Sequence, residues 1–277
     1  MEDVARQVAE ARAAPRRGPG RRGWLRERLD GCEELLTQAH SHFASQAGDE
    51  RWQRSRVAEW LLDNYYVVRQ TIRQIQEDMP ARYYAQLPKL STPGETDVPR
   101  VYNLAVELAR ACELHLEPER IVRFLRAYQE TTPLTIGEVW AIPVMLRLSM
   151  VEALAGVVAR AAGLAQKPQE AAIHAWSDSL ALRDEEAVAR TILSLRTLAA
   201  QDWKEFFEEV NRAEQVLRSD PAGVYGQMDF DTRDTYRKEV EKLALAIGRP
   251  EEEVAQAAVA LAQSQMGDGQ QDPGRLA

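Results

Sequence analysis

The sequence predicts an all-α fold of about nine or ten helices, arranged as an irregular bundle or a solenoid with disordered ends. Three observations predict it. Apolar residues recur at steps of three and four through most of the chain. Helix start and stop signals bracket those stretches. No segment keeps the alternation of a strand over more than a few residues. With 277 residues, 45% of them hydrophobic, the chain can bury a substantial core as one large helical domain or two smaller ones. No strict repeat of the tetratricopeptide kind is present to choose between bundle and solenoid.

Residues 1–23 read as a basic flexible arm: a short helical pattern, then the break PRRGPGRRG, which with Arg12 carries five arginines. The helical domain is expected over 24–265, with a sub-boundary near 163–168. From Trp24 to Ala47, Leu25, Leu29, Leu35 and Leu36 mark a first long helix, interrupted by Gly31 and ended near Gly48. From Arg54 to Asp78, the stripe Leu61, Tyr65, Val68, Ile72 and Ile75 alternates steps of four and three, the seam of a helix packed on helices. Its polar residues Asp63, Asn64 and Arg69 read as caps or bridges rather than as a chemical site.

Prolines at 80, 88, 93 and 99 then forbid a regular helix. An ordered connection pinned by Tyr83, Tyr84 and Leu87 is expected there, with an exposed tip at Thr92–Thr96. Helical text resumes over Val98–Ala111, with Val101, Leu104, Ala105 and Leu108 on one face. It returns over Pro118–Gln129, where proline takes the first helical position.

The stretch Pro133–Ala153 is the longest apolar segment. Thr135 and Glu138 form a capping box, and Trp140, Val144, Arg147, Val151 and Leu154 recur at helical spacing, which predicts a central helix with one strongly buried face. Pro143 predicts a kink near Ala141, or a restart at the proline. Glu138, Arg147 and Glu152 divide the segment, so it is not read as a membrane span.

Three further helices are expected over Gln169–Leu182, Glu185–Ala199 and Trp203–Leu217. The last has Asp202 as its cap and Trp203, Phe206, Phe207 and Val210 as its buried stripe. Asp220, Pro221 and Gly223 are turn residues. Asp231 with Asp234 reads as the acidic cap of a helix that runs to Ile247 and stops at Gly248. Pro250 and three glutamates open a last helix. The polar, glycine-rich residues 266–277 read as a disordered tail.

Composition excludes several functions. A net charge of −8 gives no general affinity for nucleic acid or anionic lipid. Cys32 and Cys112 have no CxxC partner and read as buried free thiols in a reducing compartment. The charged N-terminus has no apolar signal core. No P-loop, GxGxxG after a strand, GxSxG or HExxH occurs. His40, His42, His115 and His174 are too scattered for a metal site, so no catalytic residue, metal or cofactor is assigned.

The blocks AEWLLDNYYVVRQTIRQI, RYYAQLPKL, PRVYNLAVELA, FLRAYQETTPLTIGEVWAIPVMLRLSMVE, DWKEFFEEV and SDPAGVYGQMDFDTRDTYRKEVEKLA, in this order, resemble the amino-terminal region of cyclic β-1,2-glucan synthases. The resemblance spans Ala58 to Ala246. It implies a relation to large bacterial inner-membrane enzymes that polymerise glucose from UDP-glucose, cyclise the chain and trim it. The glycosyltransferase, transmembrane and phosphorylase-like parts of that family are expected to lie outside this stretch. The function it implies is a non-catalytic helical module in assembly or regulation of glucan synthesis. The catalytic part of a synthase, or another protein, would be its partner. The location implied is cytoplasmic, peripheral to the inner membrane through that partner. Two alternatives stay open: a free-standing helical protein-interaction scaffold, and a saccharide-binding domain that uses Glu138, Arg147, Asp229 and Arg233. Salt bridging among those four residues competes with the last reading.

Overall fold

The computed structural model describes residues 1–10, 23–46, 55–92, 95–165 and 175–270. The basic run at 11–22, the region around Gly48, the first six residues of the expected helix over 169–182, and the last residues of the tail lie outside them. The fold is all-α. Among the described residues there are twelve α-helices, one 3-10 turn and a single two-stranded hairpin. The chain divides into two units, one of residues 1–132 and 141–201, the other of 133–140 and 202–277.

In the first unit, α1 (Glu2–Glu10) buries Ala5 and Ala9 and packs on the later helices α5 (Arg100–Ala111) and α6 (Pro118–Gln129). The short helical pattern at the start of the arm is an ordered helix, and Arg6 Nε donates to Glu130 at 2.7 Å. Next, α2 (Trp24–Ser45) runs through Gly31 without a break, because burial of Leu29, Cys32, Leu35 and Leu36 on one face outweighs the helix-interior cost of a glycine. It packs on α3 (Arg56–Asp78), whose cap is Ser55, accepting from Ala58 N at 3.3 Å.

The proline-rich connection holds a short helix α4 (Ala81–Gln86), then strands β1 (Lys89–Thr92) and β2 (Glu95–Pro99), paired antiparallel with Leu90 opposite Val98. The hairpin escaped the sequence reading because its strands are too short for alternation to show and because prolines flank it. It also moves the start of the next helix, α5, from Val98 to Arg100. Lys89 is buried here. Its Nζ donates to the carbonyls of Ala85 and Leu87 at 2.9 and 2.8 Å, so the ammonium serves as the cap of α4.

Helix α7 (Ile136–Ala161) is one continuous element with Pro143 inside it, rather than a helix that restarts at the proline. Its first five residues belong to the second unit and the rest to the first. An 18-residue window of α7 has mean hydropathy 1.7 and is entirely buried, so its length and composition would suit a membrane while its environment here is protein. Every residue from Ala141 to Ala159 is buried, on all faces, where the sequence had predicted one buried face. A helical turn at 175–178 follows. Helix α8 (Asp184–Ala200) then packs on α3.

In the second unit the expected helix Trp203–Leu217 is two, α9 (Trp203–Val210) and α10 (Arg212–Leu217). Asn211 makes the break: its own backbone is extended, and its side chain accepts from Glu214 N at 2.8 Å, capping the second helix. Asp202 caps the first as expected, accepting from Lys204 N at 2.9 Å and Glu205 N at 3.2 Å. Asp220 gathers the amides of Ala222, Val224 and Tyr225 in the following turn. Helix α11 (Phe230–Ile247) is capped by Asp229 rather than by Asp231 and Asp234, and stops at Gly248 with φ 68°. Helix α12 (Glu251–Gln270) packs on α10 and α11, and Glu252 meets Arg212 at 2.9 Å.

Candidate functional site

The first unit holds a cavity of about 420 Å³ between the first turn of α2, the last turn of α3, and α4. Its apolar walls are Trp24, Leu29, Met79 and Tyr84, all buried. Arg26, Asp30 and Gln76, all exposed, stand around it. Arg26 and Asp30 are one turn apart on α2 and face each other at 3.6 Å.

The aromatic wall is fixed from behind. Trp24 stacks on Tyr84 with ring centroids 5.6 Å apart and 16° between planes, and meets Tyr102 edge-on. The guanidinium of Arg28 lies 4.8 Å from the Trp24 ring and 4.7 Å from the Tyr102 ring. Arg28 is buried in a closed circuit: its Nε donates to Glu152 at 2.7 Å, its Nη2 to the Tyr102 hydroxyl at 2.6 Å, and that hydroxyl to Glu152 at 2.6 Å. A glutamate in the middle of an apolar helix is thus matched by an arginine and a phenol from two other helices. The sequence reading saw Glu152 only as a charge interrupting α7. An isolated charge inside an otherwise apolar helix was the available signal, but the partners are 124 and 50 positions away.

The second unit holds a larger ionic cluster. Glu214 and Arg237 are fully buried and meet at 2.8 Å. Glu214 also accepts from the Tyr225 hydroxyl at 2.6 Å and from Arg218 Nε at 2.8 Å. Burial alone would raise its pKa. The bonds from Tyr225, Arg237 and Arg218 outweigh that and hold the carboxyl below the usual glutamate range. Burial, then the bond to Glu214, pushes the Tyr225 phenol up. The Arg237 guanidinium also lies 5.0 Å from Phe207 and 4.6 Å from Phe230, and Trp140 stacks on Phe207 at 4.4 Å. The Trp203–Val210 stripe is therefore core, built around a cation.

Of the four residues singled out from the sequence, two are bonded in helix caps and two in ion pairs. Glu138 is buried and closes the capping box: Thr135 N donates to its carboxylate at 3.0 Å and Glu138 N donates to Thr135 Oγ1 at 3.2 Å. Arg147 is buried and donates to Asp78 at 3.1 Å; burial lowers its pKa against the pull of that carboxylate. Asp229 is an exposed cap, accepting from Thr232 N at 2.8 Å and Thr232 Oγ1 at 2.7 Å, and these bonds lower its pKa. Arg233 is buried against Glu208 and 3.7 Å from Glu214. Asp229 and Arg233 share the first turns of α11, but their side chains turn to different partners.

Asn64, read as a bridge, is one: it donates to Trp60 O at 2.8 Å and accepts from Arg196 of α8 at 2.5 Å. Cys32 and Cys112 are buried free thiols. His40 stacks on Tyr65 at 4.0 Å, His115 lies 3.7 Å from Glu117, and His174 falls outside the described residues. Among the described residues no three His, Cys, Asp or Glu groups are placed to hold a metal ion.

No protein-family model matches the chain. The chain is similar to the cyclic β-(1,2)-glucan synthase NdvB of Rhizobium meliloti (strain 1021), 30% identical over 268 residues, an alignment covering 73% of this chain. It covers 9% of the synthase, so what is matched is a fragment of that protein.

Proposed function

We propose that this chain, similar to a fragment of a cyclic β-(1,2)-glucan synthase, is a helical non-catalytic module in the synthesis of β-1,2-glucan from UDP-glucose. It acts by docking on, or regulating, the catalytic part of such a synthase, and reaches the inner membrane through that partner. The observation that carries this reading is the alignment itself, which ties the chain to glucan synthesis through a stretch amounting to 9% of the relative. The internal pairing of the buried charges supports the non-catalytic part. Arg28, Glu152, Glu214 and Arg237 are each bonded to structural partners inside the fold.

The reading is tested in a strain whose synthase lacks the matching stretch. Supplying this chain in trans is expected to restore β-1,2-glucan, and affinity capture of the chain from membrane extracts to recover the truncated synthase. The purified chain alone is expected to release no UDP from UDP-glucose. Failure of both rescue and capture, or turnover by the isolated chain, refutes the proposal.

A further inference from the structure

We infer that an exposed apolar stripe on α11 of the second unit is a contact surface for a second copy of this chain, joined antiparallel about a two-fold axis. Six of the nine large apolar side chains that stand exposed among the described residues belong to the second unit, and three of them form the stripe. Tyr236, Leu243 and Ile247 are 49%, 54% and 62% exposed. At about 100° per residue they fall within about 40° of one another on the helix and run about 16 Å along it.

The stripe lies beside the buried face of the same helix, which carries Arg233, Arg237, Val240 and Ala244. That face is locked in place. Arg237 meets Glu214 at 2.8 Å, and the buried Tyr225 ring packs edge-on to Tyr236 with centroids 5.9 Å apart. The stripe is therefore presented on a fixed helix, and covering it avoids part of the ordering cost of association.

The charges beside the stripe select the occupant. Glu239 and Lys242 stand on its outer flank, both exposed, and bond to each other at 2.5 Å. In an antiparallel pair with Tyr236 opposite Ile247 of the second copy, and Val240 opposite Leu243, the two-fold axis sets outer flank against outer flank. Glu239 of each copy then lies about 3 Å along the axis from Lys242 of the other, so two exposed internal pairs are exchanged for two intermolecular ones at little cost. A parallel pair would set the outer flank of one copy against the packed face of the other and lose that match. The same row disfavours other occupants. A partner helix carrying one sign of charge would meet one attraction and one repulsion. An anionic membrane calls for Lys and Arg along the polar face, whereas α11 exposes Asp231 and Glu239 with Lys238 and Lys242.

Three large side chains, each about half exposed or more, bare roughly 300 Å² of apolar surface per chain, the scale of a weak and reversible dimer rather than a permanent one. The inference rests on the second unit and not on the assembly role proposed above: rescue in trans can fail while the dimer forms, and the reverse. The test is analytical ultracentrifugation of the full chain from about 1 to 500 µM, where reversible growth from one copy to two is expected with a dissociation constant of roughly 10–100 µM. Leu243→Glu changes an exposed side chain; it is expected to leave thermal unfolding unchanged and to weaken association roughly ten-fold or more. Glu239→Lys and Lys242→Glu each set like charges across the axis and are expected to weaken self-association several-fold. Mixed in equal amounts, these two variants present opposite rows, and the mixed dimer is expected to form more tightly than either variant does alone. A chain that stays monomeric across the range overturns the inference. So does association that Leu243→Glu leaves unchanged, that continues past two copies, or that mixing the charge variants fails to strengthen.

Discussion

Replacing Glu152 by leucine tests whether the circuit behind the cavity holds the first unit together as a unit of charge. The Arg28 and Glu152 side chains are 7% and 0% exposed and meet at 2.7 Å. At an effective dielectric of about 20 their attraction is about 6 kcal/mol, and most of it is spent on removing both ions from water. The pair is therefore near neutral as a whole but expensive to break. Glu152→Leu leaves the guanidinium buried and removes the acceptor of the Tyr102 hydroxyl, a loss of about 3–5 kcal/mol. For a unit of this size that is a fall of roughly 6–20 °C in its calorimetric transition. The double variant Arg28→Leu/Glu152→Leu removes the stranded charge and fills the space with apolar atoms. It is expected to recover about 2 kcal/mol or more relative to Glu152→Leu. Scanning calorimetry of the wild-type chain, both single variants and the double variant completes the cycle. Additive losses, or a Glu152→Leu cost under about 1 kcal/mol, would refute a desolvated pair, because neither is compatible with a charge left in an apolar site.

Three other outcomes are open to measurement. The folded pKa of Glu214 is depressed, so its contribution is complete above the ordinary glutamate value near 4.3, where both folded and unfolded chains are ionised, and is lost as pH falls from there through the folded pKa. Unfolding followed against pH should show that acid loss in the wild-type chain and a smaller one in Glu214→Gln. Leu146→Ala, at a fully buried position of α7, should cost about 2–5 kcal/mol in urea unfolding. Gly248→Ala places a Cβ on a residue with φ 68°, at the end of α11, and should cost about 1 kcal/mol, an effect limited to the second unit.

The helices were legible where one chemistry pointed one way. The capping box of Thr135 and Glu138, the Asp202 cap, the turn at Asp220 and the stop at Gly248 each depend on a side chain or glycine acting within a few residues of itself. The misreadings share a different cause. Asn211 was read as mid-helix because its neighbours keep helical periodicity, whereas its amide competes for the backbone and splits the helix. The strands at Lys89–Thr92 and Glu95–Pro99 pair only with each other and leave no periodic trace. On α11, Tyr236, Leu243 and Ile247 recur at helical spacing, yet they are 49%, 54% and 62% exposed. The cavity left no trace in the sequence because its residues come from three places in the chain.

Helix α7 shows why the charged candidates pointed away from that cavity. A helix buried on every face has no solvent side on which to put a charge, so each charged residue must find a partner from another element or destabilise the fold. Glu138 is answered by Thr135, Arg147 by Asp78, and Glu152 by Arg28 and Tyr102. Such residues look functional in sequence for the same reason that they are structural in space: they are polar where everything around them is apolar.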